Sequence, residues 1–396
     1  MWYTAGVVYI ATLSIADFAL FNYIGFDPKV SYVEFSVISG AWSAAFIAAN
    51  ELLGRFADAG EHGRLAFLSS AMIALSALLF GLARGNVIIL GLAYVAHAAA
   101  TASANLAFST SVFELTPADS WELRSSIQRL GLYSLRGMGL LLLALITPAI
   151  GAIGPVGAAL ALAASLGLSF SFLLPPSMPL LERKLGKAFR GLSVIGVYSA
   201  SVAAFIGDRY GLLCSISEGV KGRSSPVLFG MAAAFASFVG DYFLTALPLY
   251  LRTESFTFQQ YSLTFGIAGL VASIGLVLID ATSISVTLVA GLVVTRGLWM
   301  SLTLGYVRDL SWLGIYVAVS LVLFASVEMT LYRLFVREAS GYGVHTYAVL
   351  KEFGSLAGSV AGGVALLGGS YVFIGLPLVS TLASAALLLF NGRVKI

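Results

Sequence analysis

The chain has 396 residues, of which 59% are hydrophobic and 10% charged, with a mean hydropathy of +0.94. Soluble domains carry about 45–50% apolar residues, so this composition excludes an ordinary water-soluble globule and places the chain in a bilayer. The single cysteine, Cys214, excludes an internal disulfide framework and any CxxC motif; a formal charge of +3 says little by itself, and no nucleic-acid partner is expected.

From the N-terminus, MWYTAGVVYI lacks a basic n-region and a cleavage site, and reads as the start of a retained span. Apolar runs long enough to cross a hydrocarbon core of about 30 Å lie near residues 3–25, 35–53, 64–83, 87–112, 127–149 and 152–174. Six more lie near 226–250, 260–279, 282–306, 311–335, 344–368 and 371–390. With the N-terminus on the cytoplasmic side, sixteen of the 22 basic residues fall on that side of the breaks, so the positive-inside bias puts both termini in the cytoplasm. The expectation is an all-α, multi-pass protein of the cytoplasmic membrane. It has an N-terminal six-helix bundle over 1–174, a cytoplasmic linker over 175–225 and a C-terminal six-helix bundle over 226–396.

The linker begins proline-punctuated and basic, LPPSMPLLERKLGKAFRG, as suits a segment on the membrane face. It continues as LSVIGVYSASVAAFIGDRYGLLCSIS, which is apolar enough to resemble a thirteenth span. Were it to span, Arg333, Arg337, Lys351, Arg393 and Lys395 would all face outward against the charge bias. A surface helix or a β-hairpin turning at Asp208 and Arg209 fits better.

The two halves repeat one another. ADFALFNYIGF from Ala16 recurs as GDYFLTALPLY from Gly240, and the offset that relates Asp17 to Asp241 also relates Arg84 to Arg308, Glu114 to Glu338 and Gly139 to Gly363. Two six-span units in the same orientation make a parallel repeat about an axis along the membrane normal. Between the second and third spans, GRFADAGEHGR resembles the loop signature of the major facilitator superfamily at Gly54, Asp58, Gly63 and Arg64. It departs from that signature at Ala59, where the family has a basic residue, and Gly63 with Arg64 arrives two residues late. The segment from Glu114 to Arg124 resembles the corresponding loop after the fourth span.

The resemblance implies twelve helices in two bundles and a secondary transporter working by alternating access. It also implies a cytoplasmic latch of Gly54, Asp58, Gly63, Arg64, Glu114 and Arg124, with Asp280 as the weaker second copy. The bland alternative is a solvated loop obeying the charge bias.

Ionisable residues inside spans are functional candidates by default, because a mid-bilayer Asp costs about 2.5–3.5 kcal/mol on insertion scales. Asp17 and Asp241 lie past the middle of their spans, with Arg136 at a depth that makes Asp17 its nearest partner. These three are the candidates for proton coupling. Polar stripes at helical spacing, namely His97, Thr101 and Asn105, then Tyr133 beside Arg136, then Ser237 and Thr245 around Asp241, should line a central cavity. Asn22, Trp42, Glu328 and Glu352 join them. Arg296 has no partner that the sequence identifies, on a ninth span expected at the periphery.

No HExxH, paired DxxxD or GxSxG segment is present, so an enzyme is not expected, and neither a cofactor nor a metal is implied. The expected partners are a small-molecule substrate, protons and the bilayer, with the chain as a monomer. A nonconducting receptor or scaffold on the same fold is the competing reading. The aromatic residues Tyr23, Trp42, Tyr133, Tyr242 and Tyr261 would suit a drug-like compound or a sugar ring equally well, and the buried arginines an organic anion. For the topology, a cysteine placed at Ser224 in a Cys214→Ser background should be labelled only from the cytoplasmic side by an impermeant maleimide; labelling from outside would show that the linker spans.

Overall fold

The computed structural model describes residues 1–115, 121–175, 226–280, 285–338 and 344–393. The linker from residue 176 to 225 lies outside the described residues, as do the side chains of Asp58, Glu114 and Asp280. The described residues form twelve α-helices: α1 (Trp2–Phe26), α2 (Tyr32–Asp58), α3 (His62–Ala83), α4 (Val87–Leu115), α5 (Trp121–Ile150), α6 (Ile153–Leu173), α7 (Pro226–Thr253), α8 (Phe258–Asp280), α9 (Val286–Thr303), α10 (Leu310–Glu338), α11 (Val344–Ala365) and α12 (Gly369–Arg393). Eleven are long and apolar enough to cross a membrane by length and composition, and α8 has 23 residues. Phe172, Ile88, Leu145 and Val379 stay well exposed along the helices, an apolar exterior that suits lipid contact.

Several helices outrun their apolar stretches. α2 begins at a capping box in which Ser31 and Glu34 satisfy each other's backbone N–H groups, and it continues through Arg55 to Asp58. The loop of the signature therefore shrinks to Ala59–Glu61, with Gly60 supplying the left-handed turn at φ 73°. His62 Nε2 donates to Pro175 O at 2.8 Å and ties the start of α3 to the end of α6.

The packing carries the repeat. In the first half α1 packs on α5 and α6, α4 on α2 and α3, and α3 on α6. Adding six to each label gives α7 on α11 and α12, α10 on α8 and α9, and α9 on α12, all of which are present. The two contacts that join the halves most extensively, α5 with α8 and α2 with α11, exchange under the same operation. The architecture is two six-helix bundles related by a pseudo-twofold axis along the helix direction.

Without a hydrophobic force between helices in lipid, small residues and hydroxyls hold such bundles together. Ser69 Oγ donates to Ala100 O at 2.6 Å, Ser103 Oγ to Leu65 O at 2.7 Å and Ser76 Oγ to Ala93 O at 2.8 Å, joining α3 to α4. On α11, Gly354, Gly358 and Gly362 face the carbonyls of Ala234, Phe238 and Tyr242 on α7, so closely that an added Cβ would strike backbone. Gly375 in α12 has open space at the same position. Gly358→Val should therefore force α7 and α11 apart and destabilise the fold by at least about 1–3 kcal/mol, the cost of overpacking. Gly375→Ala should be neutral or slightly stabilising. Thermal unfolding of the two purified variants in detergent measures the contrast, and equal melting temperatures would contradict the packing argument.

Candidate functional site

Asp17 and Asp241 are each the sixteenth residue of their helix, so the repeat carries both to one depth. Around Asp17, α4 supplies a buried imidazole: His97 Nδ1 lies 3.6 Å from Asp17 Oδ1. The other ring nitrogen, Nε2, faces Leu13 O at 3.1 Å. A carbonyl only accepts, so Nε2 carries the donated hydrogen and Nδ1 is the basic atom turned toward the carboxylate. Thr101 Oγ1, 3.4 Å from Nδ1, donates to its own helix at His97 O, 3.0 Å away. Asp17 Oδ1 is enclosed and has no hydrogen-bond partner.

The Arg136 guanidinium stacks over the Phe18 ring at 5.6 Å and acts electrostatically on Asp17. Tyr94, one turn before His97 on α4, lies in range of Asp17, Asp241 and Arg136 together. The proposed coupling residues are thus gathered into one central cluster. Its geometry could have been anticipated for Tyr94, which extends the His97 and Thr101 stripe backwards by one turn.

Asp241 Oδ2 accepts a hydrogen bond from Ser355 Oγ on α11. Asp241 and Arg136 both line a cavity of about 110 Å³ whose other walls are mainly apolar, with Phe243, Phe265 and Phe324, besides Tyr316 and Ser320. Arg296 departs from the peripheral placement expected of it. It is 3% exposed, donates from Nη1 to Ala236 O at 3.2 Å and lies 4.8 Å over the Phe324 ring. Asp241 and Glu328 are its charge partners at longer range, while Nε and Nη2 have no hydrogen-bond partner. Gly240 makes this possible, since a Cβ there would collide with the guanidinium. A ninth helix on the outside of the bundle still sends a long side chain inward when the facing helix offers a glycine.

Toward the ends of the helices that carry the two termini, Lys351 Nζ pairs with Glu328 Oε1. This pair sits in a second cavity, of about 370 Å³, between α5 of the first half and α10 and α11 of the second; Arg129, Tyr133, Tyr332, Tyr347 and Glu352 also line it. Tyr133, Glu328 and Glu352 are therefore cavity residues, as is Arg129, one turn before Tyr133 on α5. The remaining cavity candidates are placed elsewhere. Asn22 is buried and donates to Phe18 O at 2.7 Å; Trp42 stacks on Phe46 with centroids 5.3 Å apart and leans on Tyr94. Ser237 is buried, Thr245 bonds Ser39 across the halves at 3.1 Å, and Asn105 is half-buried one turn past Thr101.

The latch residues are not assembled across the halves where they can be seen. Arg64 pairs within its own helix end with Glu61 at 2.9 Å and is 77% exposed. Among the described residues, nothing lies within 4 Å of a Cβ placed on Gly54 or Gly63. Arg124 lies over the Tyr3 ring at 5.2 Å, and its carbonyl accepts from Tyr3 Oη at 2.5 Å. Asp58, Glu114 and Asp280 have side chains outside the described residues.

At the opposite end, Arg252 joins the two halves beside a cavity of about 340 Å³ that it helps to line. Arg252, in the last turn of α7, donates from Nη1 to the carbonyls of Gly25, Asp27 and Val30 at 3.3, 2.5 and 3.0 Å, and lies over Tyr32 at 5.6 Å. Phe18 stacks on Tyr261 at 5.3 Å, and Phe26 packs on the same ring at 5.5 Å. Arg252 is one of few basic residues on the side the charge bias leaves poor, which was the available signal. Hydrogen bonds to charged groups contribute about 1.5–3 kcal/mol each, so Arg252→Gln should shift the population tenfold or more toward separation at this end. Spin labels at Lys29→Cys and Glu254→Cys would read the change as a longer distance; an unchanged distance distribution would show that Arg252 does not hold the junction.

No protein-family model matches the sequence, and no curated protein matches it. Solved structures do. A D-xylose-proton symporter superposes with a TM-score of 0.69 at 12% identity, covering 96% of both chains. A POT family transporter in complex with a thioalcohol-conjugated peptide gives 0.66 at 15% identity, covering 99% of this chain and 97% of that one. The inward-open xylose transporter XylE from E. coli gives 0.62 at 13% identity over 96% and 94%. Over nearly its whole length, the chain has the twelve-helix, two-bundle fold of the major facilitator superfamily.

Proposed function

We propose that this chain is a proton-coupled secondary transporter that moves a small solute across the cytoplasmic membrane by alternating access, as a monomer with both termini in the cytoplasm. The observation that carries the reading is the pair of Asp17 and His97. With Nε2 committed to Leu13 O, Nδ1 and Asp17 Oδ1 are two acceptors facing each other at 3.6 Å. One proton fits between them, on the carboxyl or on the imidazole. Without it the two lone pairs oppose each other, and Arg136 is the cation that compensates the bare carboxylate. A site that changes its charge partner when the bundles rock binds the proton in one conformation and releases it in the other, which is what coupling requires. Asp241, the repeat partner of Asp17, holds the equivalent place among Ser355, Arg296 and Lys351.

Two arrangements support alternating access. The end away from the termini is held together by Arg252 and the Phe18–Tyr261 stack, while the larger charged cavity lies toward the termini. The basic residues put that end in the cytoplasm, which makes this an inward-facing arrangement. The two matched D-xylose and xylose transporters and the POT family transporter are consistent with solute transport on this fold. One proton crossing 100 mV supplies about 2.3 kcal/mol, enough for roughly a fiftyfold solute gradient at one-to-one stoichiometry.

The test is Asp17→Asn in proteoliposomes, using a solute found by thermal-shift screening of the purified protein. Proton-driven accumulation should vanish while exchange of the solute down its own gradient persists. Undiminished uphill transport would remove Asp17 from the coupling role, and absence of any solute flux in the parent protein would overturn the carrier reading itself.

A further inference from the structure

The larger cavity contains two charge pairs' worth of groups but only one pair. Lys351 and Glu328 neutralise each other. Arg129 and Glu352 line the same space; among the described residues neither makes a hydrogen bond or an ion pair at contact distance, and each meets the central pair only at longer range, Arg129 through Glu328 and Glu352 through Lys351. They come from different halves, Arg129 from α5 and Glu352 from α11. Both are half-buried, so each retains access to whatever fills the cavity. Tyr133, Tyr332 and Tyr347 stand around them, and the volume of about 370 Å³ falls within the range of small-molecule pockets.

A low-dielectric cleft holding one unpaired cation and one unpaired anion is complementary to a ligand carrying both signs. A neutral sugar would leave both charges desolvated without a contact partner, and a singly charged solute would leave one, each uncompensated charge carrying its own desolvation cost. We infer that the solute is a zwitterion with an aromatic or apolar side group. Its carboxylate meets the Arg129 guanidinium in the paired geometry that suits this side chain, and its ammonium meets Glu352. The tyrosine rings flank the side group. Because the two charged groups belong to opposite halves, such a solute bridges the bundles and is itself the link that favours their closing over it. This assignment rests on the carrier reading above and names its substrate class.

Two matched probe sets test it: phenylalanine with N-acetylphenylalanine and phenylalanine amide, and alanyl-phenylalanine with its N-acetyl and amide forms, against D-xylose as the neutral control. In thermal-shift titrations of the purified full chain, a free zwitterion from at least one set should protect at concentrations tenfold or more below those needed by its two blocked forms. Arg129→Gln should abolish the advantage of the zwitterion over the amide, and Glu352→Gln its advantage over the N-acetyl form, a change of preference that simple misfolding does not produce. Protection by D-xylose alone, equal protection by all three forms, or no protection by either zwitterion would overturn the inference. Zwitterion binding with the expected ranking but without counterflow in proteoliposomes would keep the ligand class and overturn the carrier reading instead.

Discussion

A carboxyl group within a membrane span costs about 2.5–3.5 kcal/mol at the centre on insertion scales, and this chain places two, Asp17 and Asp241, at corresponding positions of α1 and α7. Much of the surrounding structure is arranged to make them tolerable. Each is met by groups from other helices: His97 and Arg136 for Asp17, Ser355 and Arg296 for Asp241. Neither is closed into a tight ion pair with its arginine. The partners lie on separate elements, so relative movement of those elements changes the electrostatic environment of the carboxylate.

Close helix packing joins the helices within each bundle. The glycines of α11 lay its backbone on the carbonyls of α7, and serines pin α3 to α4. Between bundles the contacts are few in kind and unevenly placed. The α5–α8 and α2–α11 seams are related by the repeat, whereas Arg252 clamps three carbonyls at one end only. The asymmetry arises because position 28, the counterpart of Arg252 in the first half, is proline. A symmetric scaffold with an asymmetric clasp has two different ends, which a vectorial process requires.

By itself the sequence determined the class, the helices and the repeat. Apolar run length is a one-dimensional property, and the bilayer converts it directly into helices because every backbone polar group must be satisfied within its own segment. The constant offset between Asp17 and Asp241 and the basic bias of alternate breaks are likewise readable along the chain. Helix ends were less legible: α2 reaches Asp58 and α5 begins at Trp121, beyond their apolar runs, since helices continue past the hydrocarbon into water. The stripe of His97 and Thr101 on α4 and that of Tyr133 and Arg136 on α5 also followed from helical spacing.

Only the tertiary structure decided which stripes meet. Spacing along one helix fixes a face but not the neighbour opposite it, so the meeting of the α4 stripe with both aspartates, Ser355 on Asp241 and the turn of Arg296 inward over Gly240 required the packed bundle. The same reason separates Asn22 and Trp42, packed among their own helices, from Glu328 and Glu352, which open onto the cavity. All four are residues within apolar runs that the sequence treats alike. Burial, and hence which charge goes unpaired, is set by helices hundreds of residues apart, and that information exists only once the two halves are brought together.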